Sequence, residues 1–150
     1  MLLGFVVLAH SQSKPSPVVP GSENAKLREV YSAKIEYLRS VLDLNQKEAD
    51  LFWPVYSEYL RQRDLFSTKK KSCMLGLNNY ISGNKTYTEL NVKKLLDLYS
   101  FYDEEILRID KAFYSDLHKI LPLRKIVLYY KADEDFRVKM IQQLKGQNLK

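Results

Sequence analysis

The sequence holds a single cysteine, Cys73, so no internal disulfide can staple the chain. Glycine and proline are scarce at five each, and four of the five prolines precede residue 55. Long stretches therefore run without breakers, which argues against a turn-rich β fold and for long helices. Histidine is rarer still: the chain has His10 and His118 alone. A serine or cysteine nucleophile would need such a base nearby. Ser115 stands three residues before His118, where a helical di-metal site would carry glutamate. Glycine-rich phosphate loops and the Gly-x-Ser-x-Gly elbow are absent. The acidic runs Asp103-Glu104-Glu105 and Asp133-Glu134-Asp135 splay around a helix rather than converge, as consecutive residues do. These absences set the expectation of no catalytic residue, no cofactor and no metal, and of a protein that is not an enzyme.

What is present suits one soluble domain. The 150 residues are 45% hydrophobic and 28% charged, with a net charge of +6, and that length supports one core. The run Leu2 to Ala9 (LLGFVVLA) has the length of a signal-peptide core and is too short to span a bilayer. Ala9 and Ser11 are the small residues a signal peptidase reads, so cleavage is expected before Gln12. No Lys or Arg precedes the run. Residues 1–11 are thus expected to be an export signal, 12–22 a Ser/Pro-rich linker, 23–146 a helical domain and 147–150 a tail. No other stretch is long and apolar enough to be transmembrane.

Apolar spacing of three and four predicts an all-α fold of about four helices, two of them long. Leu27, Val30, Tyr31, Ile35, Leu38 and Leu42 mark a first helix over 23–42. Asn45 and Glu48 form a capping box that opens a second, carried by Phe52, Val55, Tyr56, Tyr59, Leu60 and Phe66 and fading over 78–85. Pro54 lies deep inside it and is expected to bend it. Thr86 and Glu89 are spaced for another box before a third helix, whose stripe runs from Val92 to Ile120. Leu121-Pro122 ends that helix, and a fourth follows from Pro122 or Leu123 to a stop at Gly146. Cys73 is expected to be buried as a small hydrophobe. His118 is expected at the surface or capping a helix end.

Arg61, Arg63, Lys69, Lys70 and Lys71 put positive charge on the second helix with Asp64 the lone opposing acid between them. With Tyr59 and Phe66 they are expected to make a basic, partly apolar protein-binding surface. A basic stripe beside aromatics can also track phosphates. Export and the absence of a short helix-turn-helix argue against nucleic acid. Tyr56, Tyr59, Tyr99, Tyr102, Tyr129 and Tyr130 lie on or beside the apolar stripes, as core-edge residues or as part of a binding surface.

Leu44-Asn45-Gln46-Lys47-Glu48, Leu121-Pro122-Leu123-Arg124-Lys125, the run Phe52 to Tyr59 (FWPVYSEY) and the run Tyr129 to Arg137 (YYKADEDFR) together carry a likeness. Over residues 26 to 145 the chain resembles the Spy/CpxP-like periplasmic proteins, especially the branch described as sensors of extracytoplasmic-function (ECF) sigma factors. The family's helices start with Leu-Thr-x-x-Gln-type motifs. Asn45 and Glu48 depart from that pattern but keep the capping chemistry, whereas Pro122 removes the capping hydroxyl. The resemblance implies a bent antiparallel hairpin or cradle, often a homodimer, that binds unfolded or signalling proteins of the envelope. It implies no catalytic residue. The expected function is a periplasmic adaptor or chaperone-like protein in envelope stress signalling. The alternative is a structural envelope protein whose helices assemble only with themselves.

Overall fold

The computed structural model describes residues 25–147. The expected export signal, linker and C-terminal tail fall outside them, apart from Gln147. Among the described residues the fold is all-α, with four helices and no strand: α1 (Ala25–Leu42), α2 (Gln46–Ile81), α3 (Glu89–Ile120) and α4 (Leu123–Gln147). Among the described residues no helix is long and apolar enough to cross a membrane.

The junctions follow from local chemistry. Asp43 ends α1 in the left-handed region at φ 43°, a conformation a short polar side chain tolerates better than a branched one. Asn45 then caps α2: its side chain accepts from the Glu48 amide, and the Glu48 carboxylate accepts from the Asn45 amide, each at 3.0 Å. α2 passes through Pro54 without interruption and runs to Ile81, further than the turn residues Asn78 and Asn79 suggest. Ser82 caps it, and Gly83 supplies the φ of 79° that turns the chain.

The box that opens α3 is built from Thr88 and Asn91, not from Thr86 and Glu89. The Thr86 amide is taken by the Asn84 side chain and the Tyr87 amide by the Asn84 carbonyl. That turn delays the helix by two residues and makes Glu89 its first. At the far end, the Leu121 amide still reaches the Leu117 carbonyl, and the Pro122 carbonyl accepts from Lys125 and Ile126 to begin α4. Gly146 does not stop α4, which includes it.

Two antiparallel pairs result. α2 and α3 pair along their length: Tyr59 stacks on Phe113, Phe66 meets Tyr102, and Gly76 lies against Leu95. A Cβ at Gly76 would stand 2.7 Å from Leu95 Cδ1, so glycine permits the close approach of the helices near the turn. α1 and α4 form the second pair, tied by Lys34 and Asp133 and by Tyr37 against Phe136. The pairs join at an aromatic root. Phe52 stacks on Tyr56 with centroids 5.4 Å apart, Tyr59 on Phe113 at 4.1 Å, and Tyr129 sets its edge against Phe52, Tyr56 and Phe113. Such pairs add about 0.5–1.5 kcal/mol each beyond the area they bury. Ile35, Leu38, Leu42, Leu117, Leu121 and Ile126 complete this core.

Candidate protein-binding surface

α2 places the five expected basic residues around its circumference rather than on one face, because positions 61, 63, 69, 70 and 71 differ by 100° per step. Their partners differ accordingly. Arg61 turns back on its own helix and grips Glu58 through two bonds of 2.8 and 2.7 Å. Bonds from Arg61 and Gln62 hold the Glu58 carboxyl down at about 2. Arg63 crosses to α3 and bonds Asp110 at 3.0 Å. Lys70 also crosses, pairing with Asp103 while its ammonium sits 4.4 Å from the Tyr99 ring centre. Lys69 lies over the rings of Phe66 and Tyr102, at 5.4 and 6.0 Å. Lys71 is exposed.

The two aromatics expected to be exposed are half-buried instead. Tyr59 stacks on Phe113 and gives its hydroxyl to Asp110 at 3.0 Å, and burial pushes that hydroxyl's pKa up. Phe66 faces Tyr102 across the α2–α3 seam. Both therefore belong to the helix pairing, with an edge left over for contact.

The apolar component of the surface comes from residues that the sequence reading passed over. Beyond Ser67, α2 meets α3 and the turn through Lys70 with Asp103 and Gly76 against Leu95 and Tyr87. On this distal part of the hairpin Leu75, Leu96 and Phe101 are exposed, as are Ile81 and Leu90 near the turn, with Ile81 at 81%. Phe101 sits next to stripe positions rather than on them, which a helix with one buried face does not need, whereas Leu96, expected on the buried stripe of α3, is exposed instead. The hairpin thus offers exposed apolar side chains with Lys69, Lys70 and Lys71 among them.

Two hollows flank the root. One, of about 340 Å³, lies between α2 and α3, floored by Val55, Tyr59, Ile109 and Phe113 with Pro54 at its edge. The other, of about 350 Å³, lies between α1, α2 and α4 and mixes Tyr31, Met140 and Ile141 with Lys34, Arg63, Asp64 and Asp133. There Tyr31 donates to Asp64 at 3.2 Å, and burial together with that carboxylate pushes the Tyr31 pKa up to about 12.

The two motif-like segments named above meet at the root. The Lys125 ammonium bonds the Glu48 carboxylate at 2.5 Å and the Asp43 carbonyl at 2.7 Å. Lys125, then the Asn45 amide, hold the Glu48 carboxyl below the usual carboxylate range. His118 is exposed, 4.5 Å from the Tyr114 ring, and Cys73 is buried. Among the described residues no three His, Cys, Asp or Glu side chains converge as metal ligands would. Comparison with family models, with curated proteins and with solved structures gives no match.

Proposed function

We propose that this protein is a periplasmic, non-enzymatic adaptor or chaperone-like protein that binds unfolded or signalling proteins of the envelope, in stress sensing linked to an ECF-type sigma factor. The periplasmic and sigma-factor parts rest on the sequence alone: the export-like segment and the resemblance to the Spy/CpxP-like proteins. The binding part rests on one observation, the α2–α3 hairpin beyond Ser67. There Leu75, Ile81, Leu96 and Phe101 are exposed on the same pair of helices that carries three consecutive lysines, Lys69 to Lys71. Cations accelerate encounter with acidic or unfolded chains, and exposed apolar side chains supply the contact energy.

The test is aggregation of a denatured client protein with and without the mature chain. Protection is expected, and it should weaken with salt, because the screening length is about 8 Å at physiological ionic strength. Lys69→Glu and Lys71→Glu should weaken it further. Those two positions are cleaner than Lys70, which also pins α2 to α3 through Asp103. Ile81→Asp should reduce protection at every salt concentration. A wild-type chain that protects at no salt concentration removes the chaperone part and leaves the adaptor reading.

A further inference from the structure

We propose that the hollow between α1, α2 and α4 binds a small organic cation, an ammonium head on a compact apolar body, with Asp64 receiving the head. The hollow holds about 350 Å³, near the lower end of the roughly 300–1,000 Å³ of small-molecule sites. It combines charged, hydroxyl, aromatic and aliphatic side chains from three helices.

Charge selects the ligand. Three cations line the hollow, and each already has a partner: Lys34 bonds Asp133 at 2.5 Å, Arg63 bonds Asp110 at 3.0 Å, and Arg137 bonds Glu134 at 2.5 Å. Asp64 is the exception. Among the described residues no cation pairs with it, and its one bond is from the Tyr31 hydroxyl, which donates to Oδ1 at 3.2 Å. Three cations thus face four carboxylates, and the surplus negative charge is Asp64, half-buried on α2. A carboxylate taken partly out of water is costly until an opposite charge reaches it. An anionic ligand would add repulsion there, and a neutral one would leave the charge unpaired.

The walls suit the rest of such a ligand. Tyr31, Tyr59 and Phe136 contribute aromatic rings, whose faces attract a cation within about 6 Å. A primary ammonium has three N–H donors, as a lysine head does. Acceptors for them along the same stretch are Asp64 Oδ2, the Tyr31 hydroxyl oxygen and the hydroxyl of Ser67, one turn further along α2. Val30, Leu60, Met140 and Ile141 supply the apolar part, and the unbranched Met140 side chain can adapt to the body it meets. A hollow of this size admits one aromatic ring or a short alkyl chain. The ligand would touch α1, α2 and α4 at once and so bridge the α1–α4 pair to α2. The site is distinct from the exposed residues near the α2–α3 turn, so this proposal and the client-binding reading can fail separately.

The experiment titrates the mature chain with three probes of similar shape: phenethylammonium, phenethyl alcohol and hydrocinnamate. Thermal unfolding and amide NMR shifts are the readouts. The ammonium should bind saturably with a Kd of about 0.1–1 mM, as one ion pair and one ring at an open site allow. It should raise Tm with concentration and shift the amides of Tyr31, Asp64 and Met140. The alcohol should bind about tenfold more weakly, and the carboxylate should not bind. Asp64→Asn keeps an oxygen that can accept from Tyr31 and removes the charge. Melting of the free variant should stay close to wild type, while its affinity for the ammonium falls about tenfold. If that variant fails to fold, the three probes on the unaltered chain still decide the matter. No binding of the ammonium up to about 10 mM overturns the proposal. So do equal affinities for ammonium and carboxylate, an unchanged affinity in folded Asp64→Asn, or shifts confined to the hollow between α2 and α3. Capture of a peptide lysine without binding of the free amine also overturns it, since the hollow would then be a protein-docking site.

Discussion

Lys125→Met tests whether the contact between the two motif-like segments holds the root together. The change keeps the side chain's length and removes its charge. It deletes the bonds to Glu48 and to the Asp43 carbonyl, while the Asn45–Glu48 box can persist. A hydrogen bond to a charged group contributes about 1.5–3 kcal/mol. The side chains of Lys125 and Glu48 keep 22% and 15% exposure, so solvent screens the pair in part. A loss of about 1–2 kcal/mol at pH 7 is expected. Glu48→Gln keeps the bond from the Asn45 amide and loses the charge, and in a double-mutant cycle with Lys125→Met the two should couple by about 1 kcal/mol. The acid side supplies a second check. The Glu48 carboxyl is held below its ordinary value. Its contribution is therefore fully present above the unfolded pKa of about 4.3 and is lost as pH falls through the lower folded value. The cost of Lys125→Met should shrink over that window. Urea unfolding followed by circular dichroism, repeated from neutral pH down into that window, measures both effects. Additivity within about 0.3 kcal/mol, or a cost independent of pH, would refute the role assigned to the pair.

Three further substitutions probe the same scaffold. Tyr56 is fully buried, and among the described residues its hydroxyl has no hydrogen-bond partner. Tyr56→Phe should leave stability unchanged or raise it by up to about 1 kcal/mol, and a loss of more than that in urea unfolding would contradict the unpartnered hydroxyl. Asp43→Gly relieves a left-handed residue while keeping the carbonyl that Lys125 uses. A gain of about 0.5 kcal/mol is expected in thermal unfolding. Gly76→Leu drives a side chain into Leu95 and Tyr87 and should cost about 1–3 kcal/mol. Hydrogen exchange should place that loss in the hairpin turn, with amides around Phe52 and Phe113 staying protected.

Helix number and order were legible because the apolar spacing of three and four runs unbroken over long spans, as from Val92 to Ile120, whereas the pairing of α2 with α3 and of α1 with α4 could not be read from that spacing. The Asn45–Glu48 box was legible because both halves of its chemistry lie within four residues. The α3 start was not: Thr86 and Thr88 are both good caps, and the choice was made by Asn84 capturing the Thr86 and Tyr87 backbone. The basic residues of α2 were visible as a cluster, yet their partners were not. Asp103 and Asp110 are 33 and 47 residues from Lys70 and Arg63, and only the helix pairing brings them together. Tyr59 and Phe66 were misjudged as exposed for the same reason, since Phe113 and Tyr102 cover them from the other helix. The exposed Phe101 and Val127 were legible in principle as apolar residues off the main stripes, whereas Leu96 was expected on the α3 stripe and is exposed.

The distal part of the α2–α3 hairpin also bears on how the molecule moves. Its cross-helix contacts, such as Lys70 with Asp103 and Gly76 against Leu95, join α2 to α3, and a two-helix segment can open and reclose locally. The aromatic root, whose partners come from α1, α2, α3 and α4 together, should open only when the whole chain does. Amide exchange should accordingly rise along a single axis, slowest around Tyr56 and fastest at Gly83. A partner that seized the turn end would draw on that local opening, so the arm could reshape to successive partners while the root kept its fold.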